Sequence, residues 1–316
     1  MSCWNNRCIQ FLLLIAVNFG VVAQVPKDTS YTALTTLIKQ KKHYQGVAIP
    51  LVEPSKRIRV IADTTFLQLG ERQLLADLYF PATIDEKHPG ILMIHGGGWR
   101  AGDKFLMKSM AIKFAEKGYT VMVPEYRLSL EIGYPAAIYD LKAALRWFRI
   151  NANQFGLDDT RIAILGCSAG GQLAALVGVT GGTDVYYEDP KINISNKVQA
   201  IVDIDGVLKF KHPDSREGKV AADWLGGDYE EVFENWEQAS ALNHANENTP
   251  PTLFLASKYP RFLAGHMEYM EILEQNSIIV RKVEMGDAPH SFWLLEPWFD
   301  STINHVSMFL NEVLND

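Results

Sequence analysis

The chain has 316 residues, 47% of them hydrophobic and 11% aromatic, enough to bury a substantial core and too apolar for a disordered protein. Thirty Lys+Arg against 37 Asp+Glu leave a net charge of -7, with no basic block able to neutralise a phosphate backbone, which argues against nucleic acid as a partner. Three cysteines make no disulfide framework and match no metal or redox spacing, so structural zinc is not expected.

Residues 1–23 read as a signal peptide: Arg7, an apolar stretch over 11–23, and Val21-Val22-Ala23 as a small-residue cleavage site before Gln24. The stretch is shorter than the ~20 apolar residues that span a bilayer, so export to a periplasm or the outside, without membrane insertion, is the expectation. Cys3 and Cys8 precede it, which would leave Cys167 as the one cysteine of the mature chain. Residues 24–56 form a polar N-terminal arm ending in Pro50 and Pro54, and 57–316 form the main domain.

In that domain, 59–67 and 73–80 are β-rich and flank Gly70-Glu71, which predicts a hairpin closed by Pro81. Apolar runs at 91–94, 120–123, 161–165, 198–204, Thr252–Ala256 and 278–283 predict buried strands. Helices are predicted between them: 104–117 after a capping Asp103, 135–150 with Pro135 in its first turn, Ala169–Val179, 265–275 and 301–314. An antiparallel start followed by alternating strand and helix predicts an α/β fold, a mostly parallel sheet with helices on both faces. The charged and aromatic stretch 207–249 interrupts the alternation and has the size of a lid over strand ends.

Gly166-Cys167-Ser168-Ala169-Gly170-Gly171 follows a predicted strand and opens a predicted helix, the context a G-x-S-x-G nucleophile elbow requires. The helix N-terminus offers N–H groups to a developing oxyanion. His95-Gly96-Gly97-Gly98-Trp99 follows another strand, and its glycines allow backbone N–H groups to approach a reacting carbonyl. Gly97, Gly98 and Ala169 are the candidate oxyanion donors.

With Glu125-Tyr126-Arg127-Leu128 and the helix over 135–147, these strings resemble the α/β-hydrolase superfamily over residues 60–314, in its secreted carboxylesterase branch related to hormone-sensitive lipase and to feruloyl and acetylxylan esterases. Residues 200–208 and 260–262 are similar to esterase domains associated with bacterial pectin breakdown. The resemblance implies an α/β-hydrolase fold with an eight-stranded sheet and a small insertion after the sixth strand. It also implies a nucleophilic Ser168, and a base at His290 in Asp287-Ala288-Pro289-His290, before the last helix. His95 belongs to the oxyanion loop, and His43, His88, His212, His244, His266 and His305 lack such a context.

The third member departs from the family pattern. Most relatives carry an Asp after the strand at Thr252–Ala256, where this chain has Lys258, Arg261 and His266 and no carboxylate before Glu268. The superfamily also takes the acid one strand earlier, where Asp203 and Asp205 lie; Asp205, at the strand's edge, is the better placed. Glu268, Glu284, Asp287 and a Ser–His dyad remain open alternatives. Arg261 occupies the usual acid's place and could pair with a uronate carboxylate. Trp99 and Trp293 adjoin motif residues and are candidates for the substrate surface.

The resulting expectation is a secreted serine carboxylesterase acting on ester substituents of plant cell-wall polysaccharide, a pectin methyl ester or an acetyl ester, through an acyl-enzyme that needs neither cofactor nor metal. The rivals are a broad small-ester or lipid esterase and a catalytically inactive relative that binds carbohydrate. A peptidase of this superfamily usually needs a propeller domain for which there is no room.

Overall fold

The computed structural model describes residues 28–186 and 193–314; the expected signal peptide, with Cys3 and Cys8, lies outside them. After helix α1 (Ala33–Gln40) the chain forms β1 (Ile58–Leu69), β2 (Arg72–Pro81), β3 (His88–Ile94), α2 (Lys108–Glu116), β4 (Thr120–Pro124), α3 (Ala136–Ile150), β5 (Leu157–Cys167), α4 (Ala169–Val179) and β6 (Ala200–Ile204). It continues through α5 (Gly218–Leu225), α6 (Phe233–Gln238), β7 (Thr252–Ala256), α7 (His266–Gln275), β8 (Val280–Glu284) and α8 (Trp298–Leu314). The eight strands form one sheet in the order β1-β2-β4-β3-β5-β6-β7-β8. β1 and β2 pair antiparallel, as do β2 and β4, and every later pair is parallel. This is the mostly parallel eight-stranded α/β architecture expected from the sequence.

Strand alternation splits the core into two layers. Leu92, Ile94, Ile162, Ile164 and Ile201 face one layer with Leu141, Leu145, Leu173 and Leu176 of α3 and α4. Ile91, Met93, Ala163, Leu165 and Val202 face the other, with Ile112, Phe114, Ile303 and Leu310 of α2 and α8. Both faces of the central strands are dry, which is why those segments are continuously apolar.

Several boundaries differ from the sequence expectation. The helix expected over 104–117 is divided into a 3-10 turn, Lys104–Met107, and α2; Asp103 caps the turn by accepting from the Phe105 N–H at 2.9 Å. β5 is twice as long as the apolar run suggested, because its polar start pairs with β3 from His88 onward. Helix α8 begins at Trp298, before the expected start at 301.

The strand order reverses beside β3: the chain leaves β3 for β4 on one side and returns to β5 on the other. Such a reversal opens a crevice at the carboxyl ends of β3 and β5, the customary place for a ligand in an open α/β sheet. The segment between β6 and β7 holds α5 and α6 and is anchored by buried Leu208, Phe210, Trp224 and Trp236. The arm packs against the same end of the sheet: Arg100 pairs with Asp28 at 3.1 Å, and the Tyr44 hydroxyl donates to the Asp287 carbonyl at 2.9 Å.

Candidate active site

β5 ends at Cys167 and α4 starts at Ala169, which leaves Ser168 alone in the turn at φ +56° and ψ -122°. A non-glycine residue holds that conformation only when its surroundings enforce it. Here the Ser168 N–H donates to the Ile204 carbonyl at 2.7 Å, and its carbonyl accepts from the Gln172 N–H at 3.0 Å. The turn closes because its glycines carry no Cβ. One on Gly166 would meet the Gly170 carbonyl, and one on Gly170 would meet the carbonyls of Ile94 and His95.

His290 lies in the loop between β8 and α8. Its Nε2 is 2.9 Å from Ser168 Oγ and its Nδ1 is 2.8 Å from Asp205 Oδ2. Phe262 stacks on the imidazole, with centroids 3.6 Å apart and planes 11° apart, and the Trp293 ring meets it edge-on at 5.2 Å. The ring is therefore held from two sides as well as by its hydrogen bonds.

Asp205 is the first residue beyond β6, with φ +57°, and is fully buried. Its Oδ1 accepts from the Ser257 N–H at 2.7 Å, leaving Oδ2 for His290. Asp203 remains inside β6, where Oδ1 accepts from the Gly206 N–H at 2.7 Å and Oδ2 has no hydrogen-bond partner among the described residues. Burial, and to a lesser degree the nearby Asp205, raise its carboxyl well above the usual range. The other carboxylates weighed from the sequence bond elsewhere: Glu268 to His212 at 3.0 Å, Asp287 to Lys258 at 2.8 Å and Glu284 to Lys282 at 3.1 Å.

Gly97 and Gly98 have φ of +132° and +60°. Their N–H groups and that of Ala169 meet no acceptor among the described residues, and all three residues line cavities that contain Ser168. A Cβ on Gly97 would fall on the Ala101 carbonyl. Gly97→Ala is therefore expected to open this loop, displace the donors and lower Ser168-dependent turnover by about 10²-fold or more, as loss of one oxyanion donor does. Steady-state kinetics beside a melting curve will separate that loss from unfolding.

His95 is buried, with Nδ1 2.9 Å from the Gly96 carbonyl and its ring stacked on Tyr126 at 4.5 Å. Burial holds this imidazole below its usual pKa, so it is neutral scaffolding for the glycine loop. Cys167 is also buried; desolvation, then the carboxylates of Asp203 and Asp205, push its thiol well above the usual range, so it carries no reactive thiolate.

Two cavities meet at Ser168. The larger, about 810 Å³, is lined by Gly97, Ser168 and His290 on one side and by Thr35, Lys39 and Gln40 of the arm on the other. The smaller, about 310 Å³, is lined by Trp99, Ala169, Val207, Val220 and Phe262. Arg261 lines both, is exposed, and lies 4.6 Å from the Phe262 ring centroid with no hydrogen-bond or carboxylate partner among the described residues. Trp99 reaches the smaller cavity but is only 7% exposed: its Nε1–H donates to Gln172 Oε1 at 2.9 Å and its ring stacks on Trp224 at 4.8 Å. Trp293 departs from the expectation. It is 1% exposed and lines neither cavity, because the 3-10 turn Phe292–Leu294 directs it into the core beneath His290.

Residues that sequence reasoning missed are Tyr31, whose hydroxyl is 2.9 Å from Ser291 Oγ, the ring of Phe262, and Val207 and Val220. Tyr31 meets Ser291 across 260 positions of chain, so no local pattern could signal it.

The BD-FAE family profile matches residues 76–259, more than half of the chain. Esterase LipC of Mycobacterium tuberculosis is 27% identical over 240 residues, 71% of this chain; the match spans 58% of that relative's own length. The fold recurs among solved structures. Esterase 2 of Thermogutta terrifontis, phosphoramylated by tabun, is 22% identical with a TM-score of 0.67, covering 82% of this chain and 95% of that one. A truncated carbohydrate esterase from gut microbiota is 21% identical with a TM-score of 0.66, covering 82% and 99%.

Proposed function

The chain belongs to the BD-FAE family, and from that premise and the geometry at Ser168 we propose that it is an exported serine carboxylesterase that removes ester substituents from plant cell-wall polysaccharide. The observation that carries the reading is the continuous series of contacts from Ser168 Oγ to His290 Nε2 and from His290 Nδ1 to Asp205 Oδ2, at the junction of two cavities. Ser168 Oγ attacks the ester carbonyl carbon while His290 Nε2 takes the hydroxyl proton. The N–H groups of Gly97, Gly98 and Ala169 hold the oxyanion. His290 then returns the proton to the departing alcohol, and water, deprotonated by His290, releases the acid from Ser168. Asp205 keeps the imidazole oriented and stabilises its charged form.

Three features support the polysaccharide reading: the unpaired Arg261 at the site, the 810 Å³ cleft beside it, and the structural neighbour described as a carbohydrate esterase. A planar guanidinium suits the carboxylate of a uronate, so a pectin methyl ester or an acetyl ester on an acidic polymer is the substrate. A broad small-ester activity is the second reading, favoured by the 310 Å³ cavity with its apolar Val207, Val220 and Phe262.

The test is release of methanol, acetate and ferulate from pectin and acetylated xylan, with Ser168→Ala as the blank. Methanol or acetate released by the native chain and absent from the blank is the expected result. Cleavage of small aryl esters with silence on every polymer would move the assignment to the second reading. Silence on all esters would leave an inactive binding protein.

A further inference from the structure

The larger cavity offers far more room than the scissile ester requires, and its outer wall is built by the arm. Helix α1, capped at Thr32 by reciprocal bonds with Thr35, presents Thr35, Thr36, Lys39 and Gln40 to the cleft. The arm is fixed there by the Arg100–Asp28 pair and by the Tyr31–Ser291 bond beside His290.

The charge on this wall runs against that of the molecule. The chain carries a net charge of -7, yet Asp28 is the only carboxylate lining the cleft among the described residues, and Arg100 neutralises it at 3.1 Å. Lys39 and Arg261 line the same cleft, and neither has a carboxylate or hydrogen-bond partner among the described residues. Two uncompensated cations in a concave site next to a nucleophile concentrate positive potential where a substrate must enter. A volume of about 810 Å³ lies within the range of sites that enclose whole ligands.

We propose that the α1-walled cleft is a subsite for the polymer portion of an acidic substrate, in which Lys39, with Arg261, binds the free carboxylate of a sugar unit neighbouring the esterified one. This inference rests on the esterase reading only for the identity of the bond cleaved; carboxylate binding stands apart from turnover. The arm thus becomes a specificity element, and the small apolar cavity receives the small alkyl or acyl group.

The experiment has two arms. Calorimetric binding of fully de-esterified oligogalacturonate to the Ser168→Ala chain needs no catalysis; Lys39→Glu in that background is expected to weaken binding at least tenfold, with Lys39→Gln intermediate. In the turnover arm, the ratio of kcat/KM on partially esterified oligogalacturonides to that on neutral acetylated xylo-oligosaccharides is expected to fall about tenfold in Lys39→Glu, through KM. The native preference should also shrink as salt is raised, since screening weakens exposed charge pairs. Absence of oligogalacturonate binding, or an unchanged affinity in Lys39→Glu, would overturn the subsite. Retained binding with no hydrolysis of any ester would instead overturn the esterase reading and uphold the subsite. Lys39 is exposed, so these substitutions leave the core untouched.

Discussion

Ser168→Ala is expected to lower ester hydrolysis by at least about 10⁴-fold while the chain stays folded. In the proposed mechanism the hydroxyl oxygen forms the covalent bond, and no neighbouring group can stand in for it. The adjacent Cys167 is fully buried, with its thiol held protonated, and the next residues of the turn are Ala169 and two glycines. The backbone bonds that hold the turn, from the Ser168 N–H to Ile204 and from Gln172 to the Ser168 carbonyl, do not involve the hydroxyl. Single-turnover kinetics beside a thermal melt will check both halves. Residual activity within tenfold of the native value would remove Ser168 as the nucleophile.

Asp205→Asn is expected to cost about 10⁴-fold in kcat, the size of effect that follows when an imidazole is left in the wrong tautomer. Asn can keep its Oδ1 on the Ser257 N–H, where Asp205 accepts at 2.7 Å, and it tolerates the left-handed backbone at φ +57°. Its amide N–H₂ would then face His290 Nδ1, where the carboxylate Oδ2 now lies at 2.8 Å. A donor at that point forces Nδ1 to accept, places the proton on Nε2 and turns it toward Ser168 Oγ. The imidazole could no longer take the serine proton. Asn is a cleaner probe than Ala, which would also strand the Ser257 N–H. Near-normal kcat in a folded Asp205→Asn chain would mean that His290 works without this carboxylate.

The central strands were legible in the sequence because their residues face two dry layers, and apolar runs such as 91–94 mark that environment directly. The turn at Ser168 was legible because only glycines allow α4 to approach β3 and β5 so closely. The choice between Asp203 and Asp205 was harder. The two lie on the same side of an alternating strand, and what separates them is where the strand stops. β6 ends at Ile204, so Asp205 turns out of the sheet toward His290 while Asp203 stays paired within it. Trp293 differs from the expectation because sequence proximity to His290 does not mean a shared surface: Trp293 sits inside the 3-10 turn Phe292–Leu294, which buries its ring in the core, edge-on to His290. The arm was least legible: its contacts with Ser291, Asp287 and Arg100 join distant positions and leave no periodic trace.

In the mechanism proposed for this site, Ser168 is a nucleophile activated by His290. The most direct measurement is the intact mass of the chain after incubation with diethyl 4-nitrophenyl phosphate, followed by peptide mapping. One diethylphosphoryl adduct per chain is expected on Ser168, absent from Ser168→Ala and formed far more slowly in His290→Ala. An adduct on another residue, or full ester hydrolysis with Ser168 unmodified by a reagent in excess, would contradict it.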